Sequence, residues 1–517
     1  MPPTARPFSA GLVRTVDTSR IRIIAVILCI VAIAIAARAY GIGSQSLWTD
    51  ELFSRFYPDL FSLRYLWTTG LLHESSPPLY YMAIEGWMRL FGTSAVAMRS
   101  FSLVASVLTL PLIYLIAVEL FDWRRGLAAM LIFALMPMQI AFAQDARTYT
   151  LLLIPLCAAL LAVARFLRGD IRWRTLGLYG TGAIIALYCH ATAAFFIAAC
   201  NIVVIIAIVG ERRDRWRNAL IRWLVINSLI FLLALPELDA MIVQGVSDNG
   251  LDWIPPFRPV DIVRALSPVV VGNSTPDKFP GAELSLLVFV ALAAAWLARR
   301  PTRRSSAVLI AIPCVFVVLV ALASLLNSIF IARVFSWLDV PLALLLADAI
   351  MLPWFLRTAV ACATGVAITV GLGYQYVKSY NEPWRSLFEQ ISPRLAHADY
   401  VVLAPMTDPT ASSYYAPQLT GVQMLNTGPQ VNVENGALPE RLHVHWIAPA
   451  QFVNEVQSGA NVWLIMRPPD MPYVRSLLAK LPAPALRFDR PCGADVCITA
   501  LSWSPRSATA GTGASAK

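Results

Sequence analysis

The sequence has few charged residues for its length. Only 14% of its 517 residues are Asp, Glu, Lys or Arg, whereas 58% are hydrophobic. A soluble chain of this size could not cover so much apolar surface with so few charges. The composition therefore excludes a soluble protein and indicates an integral membrane protein. The formal net charge of +10 does not indicate a nucleic-acid partner, because the basic residues alternate with long apolar runs.

Several sequence motifs are also missing, and each absence removes support for a class of function. The chain has neither a GxGxxG sequence nor a Walker A loop opening a helix, so nothing supports a nucleotide-binding loop. No HExxH or similar spacing indicates a metalloenzyme. The sequence shows no internal repeat of the kind that many transporters contain.

Cysteine is used sparingly, and its positions divide into two groups. Six of the eight cysteines lie in or beside apolar runs, where they are expected as small packed side chains. Cys492 and Cys497 lie in polar sequence, and their spacing differs from that of a redox CxxC pair. We expect them to form a local disulfide in an oxidising compartment, with free thiols as the alternative.

The apolar runs predict the membrane architecture. A helix needs about 20 apolar residues to cross the hydrocarbon core. The segment 77–92 is apolar but only about 24 Å long as a helix, so we expect it to be a juxtamembrane or re-entrant helix at the outer face. The remaining runs predict about eleven transmembrane helices, at 23–41, 96–120, 126–143, 149–167, 175–190, 192–210, 222–241, 285–298, 306–326, 336–352 and 355–374.

Basic segments set the expected orientation. They alternate with the predicted spans, and the positive-inside rule places them in the cytoplasm. The N-terminus is then cytoplasmic, with its first span uncleaved, and an odd number of spans leaves the C-terminal region outside. The basic segments are 6–22, 124–125, 165–174, 212–222, 299–304 and Arg357.

The chain is expected to have three parts. A transmembrane domain covers 1–374, an extracytoplasmic α/β domain covers 375–506, and a disordered tail covers 507–517. In the second part the pattern predicts a helix at 384–396 and short strands at 400–404, 442–448 and 462–466. The long loop 243–284 is predicted to be either a lid or structural padding.

Polar residues from distant parts of the chain are predicted to meet at the outer face. They are the adjacent acids Asp50 and Glu51, then Asp145 with Arg147, then His190 and Arg333. Ionisable residues at span ends are costly, so several together indicate a functional site. Asp145 and Tyr149 are four residues apart and are expected to share a helix face.

Each of these residues has a structural and a functional interpretation. Arg147 and Arg333 either contact lipid headgroups or bind a phosphate on a lipid substrate. His190 is either a hydrogen-bonded turn residue or part of the site. A divalent metal ion shared by Asp50, Glu51 and Asp145 is an open alternative, since hard cations favour carboxylate oxygens.

Four segments occur in an order that resembles a known family. They are SLWTDELFS, SSPPLYYMAIEGWMRLFGTSAVAMRS, FALMPMQIAFAQDARTYTLLL and ALYCHATAAFF, within residues 20–200. This order is similar to that of the bacterial polyprenol-phosphate-dependent glycosyltransferases of the GT-C fold, the superfamily of protein O-mannosyltransferases and aminoarabinose transferases. Arg333, before the apolar run 340–350, is similar to the late Arg of that family.

The resemblance implies a fold, a reaction and a set of site residues. It implies a polytopic α-helical protein that transfers a hexose or pentose, with inversion, from a polyprenyl-phosphate donor to an envelope lipid, polysaccharide or protein. The reaction is expected at the outer face of the bacterial inner membrane. Asp50 matches the acid at the reaction centre and Glu51 is its neighbour, while Asp145 matches a second acid that is Glu in many relatives. The residues expected to bind substrate are Arg147, Tyr149, His190, Arg333, His73, Glu74 and Tyr81.

Two other functions are kept as alternatives. One is a lipid or solute transporter with an acidic site at the outer face, and the other is an inactive scaffold of the same fold. Transporters usually place their charges near the membrane midplane, whereas the acids of this chain lie at span ends. The acids Asp50, Glu51 and Asp145 argue against a scaffold.

Overall fold

Most of the chain is helical. The structure is a computed structural model that describes residues 18–70, 77–210, 216–246, 254–276, 280–298, 303–377, 381–404, 407, 409–426, 441–467, 472–492 and 495–503. Within these residues eight helices are long and apolar enough to cross a membrane, or nine if one bent pair counts as a single span. The protein is therefore a multi-pass membrane protein.

The first half of the chain contains the helices that carry most of the predicted site residues. They are α1 (Thr18–Ala39), α2 (Thr49–Leu60), α3 (Leu63–Tyr65), a π-helical turn (Leu66–Gly70), α4 (Pro78–Phe91), α5 (Ala95–Leu120), α6 (Trp123–Leu135), α7 (Pro137–Ala143), α8 (Tyr149–Leu167), α9 (Trp173–Cys189), α10 (Ala193–Gly210) and α11 (Trp216–Val246).

The second half completes the membrane domain and adds a domain with a sheet. Its helices are α12 (Val260–Leu266), α13 (Pro268–Val271), α14 (Gly281–Ala298), α15 (Arg303–Ser324), two 3-10 helices (Ala332–Leu338 and Ala349–Met351), α16 (Asp339–Asp348), α17 (Trp354–Val377), α18 (Trp384–Leu395), α19 (Pro409–Tyr415), α20 (Pro449–Gln457) and α21 (Pro472–Leu478). The strands are β1 (Tyr400–Leu403), β2 (Val422–Leu425), β3 (His445–Ile447), β4 (Val462–Met466), β5 (Leu486–Cys492) and β6 (Asp495–Trp503).

The predicted count of eleven spans is not confirmed in the described part of the chain. The predicted span 126–143 is broken into α6 and α7, which meet at 62°. The predicted span 175–190 is α9, which has 17 residues, and the apolar part of α14 covers only Gly281–Ala294. The segment predicted as a short outer helix is α4, with 14 residues.

A buried arginine stabilises the bend between α6 and α7. Pro137 has no N–H group, so the carbonyl of Phe133 loses its helical donor at this point. Arg38, fully buried on α1, donates to the carbonyl of Ala134 at 2.8 Å and to that of Phe133 at 3.5 Å. It also donates to the hydroxyl of Ser106 at 2.8 Å. Arg38 therefore has a structural role that the sequence pattern did not predict.

Basic residues pair with acids at the far end of the helix bundle from Asp50. Arg165 and Arg168, at the end of α8, lie 3.1 and 3.7 Å from the carboxylate of Glu119 at the end of α5. Arg125 lies 3.3 Å from Asp348 at the end of α16. Residues of the predicted basic segments 124–125 and 165–174 therefore lie at one end of the bundle, and the cytoplasmic assignment of this end stays a prediction.

The C-terminal region forms a six-stranded sheet in the order β3-β2-β1-β4-β6-β5. The first four strands are parallel, and β6 and β5 continue the sheet in antiparallel pairing. The predicted helix and three strands correspond to α18, β1, β3 and β4, whereas β2, β5 and β6 were not predicted. Cys492 and Cys497 are joined by a disulfide between β5 and β6.

This region shares one hydrophobic core with the helices beside the predicted site. Leu52 of α2 and Tyr81 of α4 belong to the same buried cluster as Trp384 and Trp463 of the C-terminal region. Burial of aromatic side chains contributes strongly to such contacts. The sheet region therefore positions α2, the helix that carries Asp50. The predicted domain limits at 374 and 506 stay predictions.

Candidate functional site

Asp50 lies in the first turn of α2, between two arginines from distant parts of the chain. Its Oδ2 accepts a hydrogen bond from Nη1 of Arg333 at 3.0 Å and lies 3.8 Å from Nη2 of Arg147. Arg147 also donates to the backbone carbonyl of Asp50 at 3.1 Å. The side chain of Asp50 is 22% exposed, so solvent reaches this carboxylate. The structure thus brings together three of the predicted residues.

Arg147 is buried in the turn between α7 and α8. Burial alone disfavours the charged guanidinium, but the carboxylate of Asp50 outweighs it and raises the pKa of Arg147 well above its ordinary value. Two cations beside one carboxylate leave the cluster with an excess of positive charge. Such a cluster can bind a phosphate, because guanidinium groups match the geometry of phosphate oxygens.

Glu51 points away from Asp50 into a fully buried ion pair. Its two carboxylate oxygens each accept a hydrogen bond of 2.7 Å from Arg99, and the N–H of Ala146 donates to it at 2.8 Å. Both carboxylate oxygens of Glu51 are therefore occupied by these contacts, and its predicted catalytic role stays a prediction. This residue ties the start of α2 to the turn that carries Asp145 and Arg147.

Arg99 was not predicted as a site residue. It is buried at the start of α5, and besides Glu51 it donates to the carbonyls of Ile42, Gln45 and Ser46 at 2.8 to 3.0 Å. The available signal was an arginine only a few residues inside a strongly apolar run, where an isolated charge is costly.

Asp145 lies in the turn before α8 and not on the helix itself. The helix begins at Tyr149, so the predicted shared face of Asp145 and Tyr149 is wrong. The indole Nε1 of Trp48 donates to Oδ1 of Asp145 at 3.0 Å. Burial, reinforced by the negative charge of Glu51, raises the pKa of Asp145 to about 7. This carboxyl group can therefore change its protonation near neutral pH.

The side of the turn that carries Asp145 faces a small polar cavity of about 170 Å³. Its walls come from the ends of α1, α7, α13 and α17 and from the loop before α2. The polar side chains that line it include Gln45, Trp48, Gln144, Asp145, Asn273 and Gln375. Most of them carry amide groups, which both donate and accept hydrogen bonds.

His190 and Tyr149 lie next to the arginine pair. Their ring centroids are 6.0 Å apart, and Nδ1 of His190 contacts the hydroxyl of Thr192 at 2.8 Å in the turn between α9 and α10. Burial, together with the positive charges of Arg333 and Arg147, lowers the pKa of His190 to about 3. The imidazole is therefore neutral at physiological pH and does not add a third positive charge.

The remaining predicted substrate residues fall in different environments. Tyr81 is buried in the core between α2 and α4, where its ring stacks on that of Tyr57 at 5.6 Å. His73 and Glu74 lie outside the described residues. Tyr81 also lies close enough to Arg147 to interact with its charge, and its predicted role in substrate binding stays a prediction.

The three acids are not assembled as a metal site. Asp50 contacts two arginines, Glu51 is enclosed by Arg99, and Asp145 contacts Trp48. Among the residues that the structure describes, no group of three His, Cys, Asp or Glu side chains could hold a metal ion. In this structure the negative charges of Asp50 and Glu51 are therefore balanced by arginine side chains.

Comparison with known proteins identifies the fold. Residues 75–238 match the family model described as dolichyl-phosphate-mannose-protein mannosyltransferase. Comparison with curated proteins gives no match.

Two solved structures, both of ArnT from Cupriavidus metallidurans, are similar over nearly the whole chain. The undecaprenyl phosphate-bound form has a TM-score of 0.54, 13% identity, and coverage of 95% of this chain and 99% of that chain. The apo form has a TM-score of 0.56, 13% identity, and coverage of 94% and 98%. The chain therefore has the GT-C fold of ArnT.

Proposed function

We propose that this protein is a membrane glycosyltransferase that transfers a sugar from a polyprenyl-phosphate donor to a hydroxyl group of an envelope acceptor. The observation that carries the proposal is the convergence of Arg147 and Arg333 on Asp50 at the ends of apolar helices. The matched family model describes an enzyme with a lipid-phosphate sugar donor, and the ArnT neighbour binds undecaprenyl phosphate. Both findings support the same class of substrate.

The residues present suit a direct displacement at the anomeric carbon. Asp50 accepts the proton of the acceptor hydroxyl while the oxygen of that hydroxyl bonds to the anomeric carbon. The bond from that carbon to the phosphate oxygen breaks, and the leaving phosphate takes the electron pair. Arg147 and Arg333 stabilise the charge that develops on the phosphate. Attack from the face opposite the phosphate inverts the configuration.

Donor binding and proton transfer to Asp50 are coupled, because both depend on the contacts between Asp50 and the two arginines. A phosphate between Arg147 and Arg333 competes with the carboxylate of Asp50 for the same guanidinium groups. Charge-assisted bonds to phosphate are strong, so donor binding draws the arginines toward the phosphate. Asp50 then gains the freedom to accept a proton.

The proposed location is the outer face of the bacterial inner membrane, with the N-terminus in the cytoplasm and the C-terminal domain outside. The pairing of basic residues at the end of the bundle far from Asp50 supports it. A donor that arrives through the membrane also fits a chain whose sequence has no nucleotide-binding loop. The acceptor is a lipid, a polysaccharide or a protein.

Asp50→Asn tests the proposal. The purified protein in lipid nanodiscs is incubated with a panel of polyprenyl-phosphate sugars and acceptors, and released polyprenyl phosphate is measured. Loss of a general base should lower the transfer rate by about 10²- to 10⁴-fold, while donor binding is retained.

Asp59→Asn is the matched control. Asp59 lies on the same helix, but its side chain is 46% exposed and pairs with Arg55, so its removal should leave transfer unchanged. Near-normal turnover by the Asp50 variant would exclude this residue as the base. A wild-type protein that releases no polyprenyl phosphate from any donor would contradict the proposed function.

A further inference from the structure

An open cavity of about 710 Å³ lies among the arginines at the end of the helix bundle far from Asp50. It is formed by the ends of α5 and α8, the turn after α8 and the first turns of α9. The charged side chains that line it are Arg165, Arg168, Arg172, Arg174, Glu119 and Asp170. Four arginines against two acids leave two positive charges in excess, so the cavity suits an anion.

The two acids hold the arginines in place without cancelling their charge. Arg165 and Arg168 share the carboxylate of Glu119, at 3.1 and 3.7 Å. In the turn, Nε of Arg172 donates to Asp170 at 2.6 Å, and this hydrogen bond lowers the pKa of Asp170 below its ordinary value. One carboxylate therefore serves two guanidinium groups on one wall, and the cavity keeps its positive charge.

The guanidinium groups remain accessible to a ligand in the cavity. The side chains of Arg168 and Arg172 are 54% and 60% exposed, and Arg174 is exposed at the start of α9. Each guanidinium has five N–H donors, so an arginine can keep its ion pair and still donate to a second anion. Planar guanidinium groups of this kind match the oxygens of a phosphate.

The cavity lies at the depth where lipid headgroups are expected. Helices α5 and α8 are long and apolar enough to cross a membrane, and both end at the cavity. Trp173 lies between two of the arginines in sequence and is exposed, as is typical of tryptophan at a membrane–water interface. Leu178, one turn further into α9 than Arg174, also lines the cavity. The wall therefore changes from cationic to apolar toward the membrane interior.

We propose that this cavity binds an anionic phospholipid, with the headgroup phosphodiester among the arginines and the start of an acyl chain beside Leu178. Basic pockets between transmembrane helices are suited to such headgroups. A lipid bound there joins the ends of α5, α8 and α9. The site lies at the other end of the bundle from Asp50, so the inference does not depend on the proposed transfer reaction.

Lipid titration followed by native mass spectrometry tests the inference. The full-length protein in detergent is titrated with phosphatidylglycerol and with phosphatidylcholine that has the same acyl chains. The excess positive charge predicts that phosphatidylglycerol binds about 10-fold more tightly. An excess of inorganic phosphate should not displace it, because the free ion has no acyl chain to contact Leu178. Equal affinity for the two lipids, or displacement by inorganic phosphate, would overturn the lipid site.

Arginine variants locate the binding site in this cavity. Arg174→Gln should weaken phosphatidylglycerol binding by about 5-fold, and the double variant Arg172→Gln with Arg174→Gln by about 10- to 30-fold. Arg124→Gln is the matched control. Arg124 is exposed in the first turn of α6, close to the end of α5, and is not among the described residues that line the cavity. This variant should bind like wild type.

Glu119→Gln changes the charge in the opposite direction. It removes a negative charge from the cavity wall and keeps the size of the side chain, so affinity for phosphatidylglycerol should rise by about 3- to 10-fold. Ion pairs that serve only to join α5 to α8 would give no such increase. Unchanged or weaker binding by the Glu119 variant, or wild-type affinity in the double arginine variant, would overturn the inference.

Discussion

Adjacent residues in this site have opposite surroundings. The side chain of Asp50 is 22% exposed and faces two arginines, whereas that of Glu51 is fully buried against Arg99. Consecutive residues on a helix point about 100° apart, so an acidic pair at a helix start can serve two separate contacts. The pair itself was recognisable from the sequence. The division of roles was not, because it depends on Arg99, 48 residues away.

The arginine pair provides the first residue-scale prediction. Arg147→Lys and Arg333→Lys should each weaken binding of the lipid-phosphate donor by about 1–3 kcal/mol, because a Lys ammonium cannot reproduce the planar guanidinium contacts. Isothermal titration with a polyprenyl-phosphate sugar measures the change. Arg89→Lys, at a side chain that is 76% exposed, is the control and should not alter binding. Unchanged affinity in both site variants would place the phosphate elsewhere.

Asp145 provides a prediction about pH. Its pKa is about 7 in the folded protein and 3.8 ordinarily, so the folded state keeps a proton that the unfolded state releases between these values. Stability should therefore decrease as pH rises from about 4 to 7 and level off above 7. Asp145→Asn removes this dependence. Its free energy of unfolding relative to wild type should therefore be about 1–4 kcal/mol higher at pH 8 than at pH 5.

Thermal unfolding in detergent at pH 5 and pH 8 measures this effect. The difference in melting temperature between the Asn variant and the wild type should be larger at pH 8. Asp59→Asn, at an exposed carboxylate, controls for a general effect of lost charge. The same difference at both pH values would show that Asp145 is already ionised at pH 5.

At the scale of elements, the bend at Pro137 was only partly predictable. A proline within the predicted span 126–143 indicates a break, because it removes a backbone donor. The sequence pattern could not identify the group that satisfies the freed carbonyls. That group is the guanidinium of Arg38, 96 residues from Ala134.

The contact between α17 and α13 provides an element-scale prediction. A Cβ atom on Gly371 would collide with the carbonyl of Val271 and with the ring of Pro137, 2.6 Å away. Gly371→Ala should therefore separate these elements and destabilise the protein by about 1–3 kcal/mol. Gly365→Ala on the same helix meets no atom within 4 Å and should be neutral or stabilising, since alanine favours helix.

Fluorescence-detected size-exclusion chromatography after heating compares the two alanine variants. We expect only the Gly371 variant to lose its monodisperse peak at a lower temperature than wild type. Equal behaviour of both variants would show that α13 moves aside without cost.

For the whole molecule, the membrane class and the GT-C fold follow from hydropathy and motif order. The convergence of Asp50, Arg147 and Arg333 was also predictable, because charge alternation assigns them to one face. The hydrogen bonds that Arg38 and Arg99 donate could not be predicted, because each joins residues that are far apart in sequence. Strand β5 was missed because none of its seven residues is fully buried and its charged residues interrupt the apolar ones.

Membrane orientation provides the prediction at this scale. In a background without the six unpaired cysteines, Ser44→Cys and Gln457→Cys should react with a membrane-impermeant maleimide from outside the cell. Arg168→Cys, at a side chain that is 54% exposed, should react only after permeabilisation. External labelling at position 168 would show the opposite orientation and place the Asp50 site in the cytoplasm.

The contact between Glu382 and Thr49 has a consequence for how the protein is made. Glu382 accepts hydrogen bonds from the backbone and hydroxyl of Thr49, 333 residues earlier in the chain. At synthesis rates of about 5–20 residues per second, roughly 20–70 s pass between translation of the two residues. The start of α2 therefore lacks this support while the first helices of the bundle are already being inserted. A nascent chain would therefore enter the membrane before the helix that carries Asp50 is fully held in place. It would become competent for the proposed transfer only after the C-terminal region has been translated.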